Sequence, residues 1–390
     1  LSTTQSQMDV EQAVRQRYSD GAREAEPGLC CPSSTYNKKY LAAIPAEVIE
    51  KDYGCGDPTA WAEPGMTVLD LGSGAGKACY IISQRVGPDG RVIGIDMNDD
   101  MLDLARKHQK TVADNVGWAN VSFRKAKIQD LRLDLDKTGA WLQRHPIKSP
   151  EDLSKFEAFC ADLSASEPVV PDNSVDLIVS NCVLNLVRPE DKAQLFREMF
   201  RVLRKGGRAV ISDVVCDEDV PEHMTRDENL WSGCLSGAYR EDLFLRAFED
   251  AGFHGVEVLK YDHNAWQTVE GIEFRSMTVR AFKGKQGPCF EHRQAVMYKG
   301  PFSSVMDDDN HRYPRGVRIA VCKKTFDLLQ TGPYAEQFVF IEPREAIDEA
   351  IAQPFDCRRT AIRSARETKG AAYDATIESS GDCCGPEGCC

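Results

Sequence analysis

The sequence predicts an α/β protein built on a doubly wound, mostly parallel sheet. Three observations predict it. A short apolar run ends in a glycine-rich turn, MTVLDLGSGAG at 66–76. Strand-length apolar runs then alternate with helical patterns as far as residue 215. The helical patterns carry their apolar residues on one stripe. Strands alternating with helices make parallel sheets covered on both faces, and right-handed crossovers leave few topologies.

Residues 9–23 read as an N-terminal helix, followed by the turn-rich PGLCCPSS at 27–34 and a short helix at 45–53 closed by Gly54 and Gly56. After the glycine turn, ACYIISQRV (78–86) is an amphipathic helix and RVIGID (91–96) a buried strand. Asn98 can cap the next helix, which runs through Met101, Leu102, Leu104 and Ala105. VSFRKA (121–126), SVDLIVSN (174–181) and RAVISDVV (208–215) supply three more strands. Between the last two, a helix at about 190–203 places Leu195, Phe196, Met199, Phe200 and Leu203 on one face, and Gly206 and Gly207 are expected to end it. A helix at 240–251 is expected to turn Leu243, Phe244, Ala247 and Phe248 inward, and VEVLKY (256–261) and SMTVRAFK (276–283) close the sheet. Residues 129–171 form a long insertion, and 216–239 are expected to cover the active face. Beyond 285 the pattern shifts to a small α+β domain, and GDCCGPEGCC (381–390) is expected to be a flexible tail.

With 390 residues the chain exceeds one ordinary domain. Its net charge of −13 is the wrong sign for a nucleic-acid binder, and no apolar stretch approaches the roughly 20 residues of a membrane helix. We therefore expect neither nucleic acid nor membrane as a partner. Nothing near Leu1 looks like a secretory signal. Fifteen cysteines, an odd number in a chain too long to need staples, point to working thiols in a reducing, cytoplasmic setting.

The glycine loop favours one ligand over another. A nicotinamide fingerprint has glycines at its first, third and sixth positions. Here Gly72, Gly74 and Gly76 are spaced by two, and Lys77 holds the sixth position. Asp70 precedes the first glycine, where it can receive an amino-acid ammonium. This pattern resembles the first motif of S-adenosylmethionine-dependent methyltransferases. The cofactor set expected from it is Asp70, Gly72, Ser73, Gly74 and Gly76 in the loop, then Asp96 and Met97 after the second strand. Asp96 would meet the ribose hydroxyls. Ile128 and Gln129 follow the third strand, where similar enzymes hold adenine, and Asn181 ends the fourth, near the reacting end.

Cys182 directly follows Asn181, where ligands of open α/β sheets sit. Cys55 lies between two glycines in YGCG (53–56), and Cys234 follows Gly233 in WSGCLSGA (231–238). None has CxxC spacing, which argues against a zinc ribbon. Three thiols on separate loops suit a site assembled by folding, and soft thiolates select soft acceptors such as trivalent arsenic. Cys79, Cys216, Cys289, Cys322 and Cys357 read as structural or core residues, and Cys160 has no partner that can be named.

YGCG, DLGSGAG, GIDM (94–97), SNCVLNLV (180–187) and GCLSGA occur here in the order found in arsenite S-adenosylmethionine methyltransferases, and over residues 10–283 the chain resembles that family. The resemblance implies the class I, Rossmann-like methyltransferase version of the doubly wound sheet, with an inserted arsenic-binding segment. Together with the shift in pattern beyond 285, the resemblance gives an N-terminal cap (1–59), a cofactor domain (60–215) and an arsenic-binding segment with closing strands (216–284), followed by the α+β domain (285–370) and the tail (371–390) read from composition. The resemblance makes Cys55, Cys182 and Cys234 the arsenic ligands and reactive thiols. Cys30 or Cys31 would be a fourth, with Cys31 preferred. Arsenite and methylarsenite would be substrates. A disulfide, for instance Cys55 with Cys31, would supply electrons, and thioredoxin or glutathione would reset it. Two alternatives stay open: a methyltransferase of a small organic molecule, and a thiol-rich protein that binds metalloid without turnover.

Overall fold

The structure is a computed structural model and describes residues 10–26, 36–51, 53–358 and 361–370. The chain divides into two compact units, Leu1–Gly284 and Lys285–Cys390.

The first unit begins with α1 (Val10–Arg23), α2 (Lys38–Leu41) and α3 (Ala46–Glu50). It continues as β1 (Thr67–Leu71), α4 (Lys77–Val86), β2 (Arg91–Asp96), α5 (Asp99–Val116), β3 (Val121–Lys125), α6 (Leu135–Arg144), α7 (Pro150–Ser166) and β4 (Val175–Asn181). There follow α8 (Pro189–Val202), β5 (Leu203–Cys216), α9 (Glu228–Ser232), β6 (Tyr239–Arg240), α10 (Glu241–Asp250), β7 (His254–Tyr261), β8 (Gln267–Val269) and β9 (Ile272–Phe282). The sheet order is β3-β2-β1-β4-β5-β9-β7, with β6 on β5 and β8 on β9. Strands β1 to β5 run parallel, while β9 pairs antiparallel with both β5 and β7.

Both faces of the sheet are covered, and the period-two alternation of each central strand sorts its side chains between them. Leu69, Leu71, Ile178, Ala209 and Ile211 pack with Phe196, Met199 and Phe248. Val68, Leu177, Val179 and Val210 pack on the other side with Ile81, Ile82 and Leu102. Strand order reverses between β1 and β4. That reversal opens a crevice at their carboxyl ends, the usual place for a ligand in such sheets.

Local signals account for most element ends. Asn98 caps α5 by accepting from Met101 N at 3.1 Å. In the insertion, Asp134 caps α6, and Ser149 caps α7 with Pro150 in its first turn. The insertion is a pair of helices in which Trp141 stacks on Phe159 with ring centres 5.4 Å apart. Two expectations are corrected. Gly206 and Gly207 do not end α8, which stops at Val202; they lie inside β5 beside a register shift opposite Val175 and Leu177. Gly206 takes the left-handed backbone that such a bulge requires (φ 83°). On α10, Phe244 and Phe248 are buried but Leu243 is exposed.

The second unit comprises β10 (Phe290–Glu291), β11 (Ala295–Tyr298), β12 (Ser304–Met306), β13 (Arg312–Pro314), β14 (Arg318–Ala320), α11 (Lys323–Leu329), β15 (Phe338–Ile341), β16 (Gln353–Pro354) and α12 (Ala365–Lys369). A three-stranded antiparallel sheet, β14-β11-β15, packs Val296, Tyr298 and Ile319 with Phe326 and Leu329 of α11. The pairs β10–β16 and β12–β13 flank it. Among the described residues, no helix is long and apolar enough to cross a membrane.

Candidate active site

A cleft opens at the carboxyl ends of β1, β2 and β4 and encloses about 1090 Å³ including its mouth. Every cofactor residue expected from the sequence lines it except Gly76: Asp70, Gly72, Ser73, Gly74, Asp96, Met97, Ile128, Gln129 and Asn181. Gly76 instead begins α4, and a Cβ there would meet the Phe123 ring at 2.7 Å. α1 contributes a wall through Glu11, Val14, Arg15 and Tyr18.

The residues fit a nucleoside cofactor carrying an amino acid. Gly74 has φ 48°, and a Cβ there would stand in the cleft with only Met101 Sδ at 4.0 Å beside it. Ser73 Oγ is buried with no hydrogen-bond partner, an orphan that a bound ligand would satisfy. The Asp96 carboxylate accepts from Gly74 N at 2.8 Å and from Asn98 N at 2.9 Å, one on each oxygen. Each oxygen keeps a lone pair for a hydroxyl. Burial raises the Asp96 pKa, and the backbone N–H groups oppose it. Asp70 is buried at the tip of β1, where Cys79 donates to it at 3.2 Å. Cys79, read from sequence as core packing, is fully buried and also orients this acid.

The thiols lie next to this cleft. Cys55 and Cys182 form a disulfide. Cys234 Sγ donates to Cys182 O at 3.2 Å and lies 3.8 Å from the Tyr18 hydroxyl. All three share one buried cluster with Cys216, Val214, Met224 and Phe274. Cys55 is thus paired with Cys182, and its loop is docked against β4, β5 and β9. Its expected redox partner, Cys31, lies outside the described residues, as does Cys30.

Asn181 does the docking. Its Oδ1 accepts from Cys55 N at 2.8 Å and Gly56 N at 3.0 Å, and its Nδ2 donates to Gly56 O at 2.8 Å and Tyr36 Oη at 2.9 Å. Ser276 Oγ donates to Cys55 O at 2.7 Å. The two glycines of YGCG are there because nothing larger fits. A Cβ on Gly54 would collide with the Asn181 amide, and one on Gly56 would meet Ser212 Oγ at 2.5 Å. Cys182 and Cys234 both hold left-handed backbone, with φ of 59° and 63°. That conformation costs a non-glycine residue roughly 1–2 kcal/mol, and such strain concentrates at working sites.

Two buried titratable side chains whose charges act on each other and on Cys234 escape sequence reasoning. Asp213 accepts from Leu184 N and Val214 N, both at 2.8 Å. Lys192 donates to Gly237 O at 2.5 Å and sits over the Tyr239 ring. Burial pushes the Asp213 carboxyl up to about 6, against its backbone N–H partners and the charge of Lys192. Burial likewise pulls Lys192 down to about 8. Both shifts run toward neutrality, so desolvation outweighs the mutual attraction. Burial and then Asp213 push the Cys234 thiol well above its ordinary range, and burial with Asp217 and Asp219 pushes Cys216 up to about 12. The signal for Asp213 was an acid inside the apolar strand RAVISDVV. Lys192, in the acidic first turn of α8, carried none.

The chain is similar to known proteins over most of its length. Residues 62–252 match a methyltransferase domain family, and residues 285–373 match a domain family of unknown function. The arsenite methyltransferase of Aquipseudomonas alcaligenes is 32% identical over 333 residues, covering 82% of this chain and 86% of that protein. The human arsenite methyltransferase is 28% identical over 381 residues, covering 92% and 90%. A crystal structure of an arsenic(III) S-adenosylmethionine methyltransferase from Chlamydomonas reinhardtii superposes with a TM-score of 0.52 at 28% identity, covering 85% of this chain and 99% of that one. With this similarity spanning nearly the whole of its relatives, the chain belongs to the arsenite methyltransferase family.

Proposed function

We propose that this chain transfers the methyl group of S-adenosylmethionine to trivalent arsenic held by Cys55, Cys182 and Cys234. The observation that carries this is the gathering of those three cysteines in one buried cluster, with Cys182 lining the cofactor cleft.

Loading starts from the reduced protein. Arsenous acid exchanges three As–O bonds for three As–S bonds, and each thiol proton leaves in a water molecule. No net proton is released, so a Cys234 thiol held protonated by burial is no obstacle. Arsenic keeps its lone pair and is a nucleophile without losing a proton, which removes the need for a general base. S-adenosylmethionine, when bound, supplies a methyl group on a positively charged sulfur. Asp70, Asp96 and the glycine loop orient that donor, Asn181 holds the Cys55 loop, and the Cys182 carbonyl positions Cys234. Alignment of this kind can supply a large part of the barrier reduction.

Methylation leaves arsenic pentavalent. Two of its sulfur ligands then couple: two As–S bonds break, one S–S bond forms, arsenic regains two electrons, and a water fills the vacated position as hydroxide with release of one proton. A Cys55–Cys182 disulfide is the expected product of that step. Thioredoxin or glutathione would reopen it by thiol–disulfide exchange. The need for free thiols at each turnover supports a reducing compartment such as the cytoplasm. Left-handed backbone at two of the thiol positions adds further support.

The test is incubation with arsenite, thioredoxin or glutathione and methyl-labelled S-adenosylmethionine, followed by separation of arsenic species. Labelled methylarsenite and dimethylarsenite are expected. Cys182→Ser and Cys234→Ser should each lose turnover while still binding the cofactor. Near-normal turnover in either variant, or label on no arsenical, would overturn the proposal.

A further inference from the structure

We propose that Cys289, Cys322 and Cys357 form a second thiol site, in the C-terminal unit, that takes one trivalent arsenic atom through three sulfurs. Read singly in the sequence, each looks structural. In the fold they arrive from three separate segments. Cys289 precedes β10, Cys322 lies between β14 and α11, and Cys357 follows β16. Their three sulfurs all lie within 4.8 Å of one another. The pairing of β10 with β16, and Phe355 N donating to Cys289 O at 2.8 Å, bring the first and third together. Cys322 Sγ is held by Thr325, whose N–H donates to it at 3.4 Å. His311 is braced by Asp307 at 2.9 Å and contacts Cys357 O at 2.6 Å, which fixes the third segment.

The donor set selects the ligand class. No His, Asp or Glu atom joins the three sulfurs among the described residues, so a structural zinc site, which closes at four ligands, is one short. Trivalent arsenic is complete with three sulfurs and a lone pair. The choice of arsenic over other soft ions rests on the function proposed above. A small cavity lined by Ile319, Val321, Phe355, Cys322 and Cys357 adjoins the sulfurs, and Cys289 and Cys357 are half-buried, so the site can be entered. Binding exchanges three As–O bonds for three As–S bonds with release of three waters, and no electrons move.

The full chain, reduced with a phosphine, would be incubated with arsenite or with zinc and then alkylated with iodoacetamide, and each cysteine would be followed by peptide mass spectrometry. Arsenite should slow alkylation of Cys289 and Cys357 together by at least about tenfold, with the isolated, half-buried Cys160 unaffected. In Cys322→Ser that protection should weaken markedly. Absence of protection, protection by zinc but not arsenite, or full protection in Cys322→Ser would each overturn the inference. The assay contains no S-adenosylmethionine, so it passes or fails independently of methyl transfer.

Discussion

Replacing Asn181 tests whether that side chain serves the thiol loop or the cofactor. Asn181→Ala removes four hydrogen bonds, three of them to the backbone of Cys55 and Gly56. A buried backbone group left unpaired costs about 1–3 kcal/mol, and the vacated space admits water, so the lower figure applies to each. Three such groups give about 3 kcal/mol, roughly a 100-fold shift in the ratio of docked to undocked loop. In the reduced enzyme, Cys55 should therefore alkylate up to about 100-fold faster and kcat for arsenite should fall by a similar factor, while cofactor affinity stays within about threefold. Asn181→Asp keeps the acceptor for both amides and loses the donors, so it should fall between wild type and alanine. A wild-type kcat in Asn181→Ala would refute this reasoning. So would a raised KM for S-adenosylmethionine with kcat unchanged, which would make Asn181 a cofactor contact.

Gly74→Ala places a methyl group in the cleft and a non-glycine residue at φ 48°, so we expect a stability loss of about 1–2 kcal/mol. Cofactor affinity should drop about tenfold or more, measured by calorimetry; unchanged affinity would remove the loop from the binding site. Asp213 offers a pH test. Its carboxyl moves from the usual 3.8 to about 6 on folding, so the unfolded chain ionises first. The contribution is fully present below pH 3.8, is lost as pH rises through about 6, and amounts to about 3 kcal/mol. Urea unfolding between pH 4 and 7 should show that downward slope in wild type but not in Asp213→Asn; parallel curves would contradict it.

Much of this fold is legible in the residues because its signals are local. Periodicity marks β1 through β5, and Asn98 announces α5 four residues before its first buried leucine. The failures are non-local. A Gly-Gly pair after a helical stripe looks like a terminator, and only pairing with β4 makes it a bulge in β5. Leu243 follows the helical stripe, but α10 turns it to solvent. At the site, Asp70 and Asp96 can be found from strand ends. The clamp on the Cys55 loop cannot, because Asn181 lies more than a hundred residues away. Sequence separation also hid the C-terminal cysteines, each of which sits in an unremarkable context until β10 and β16 pair.

Helix α1 is a party wall. One side of it faces the cleft through Glu11, Val14 and Arg15, while Val14 packs with Trp231 and Arg17 grips Asn229 O and Ser232 Oγ of the neighbouring thiol-bearing segment. Whatever settles this helix on one side also prepares the other. Donor and acceptor should then sharpen each other's affinity by the same factor, whichever arrives first.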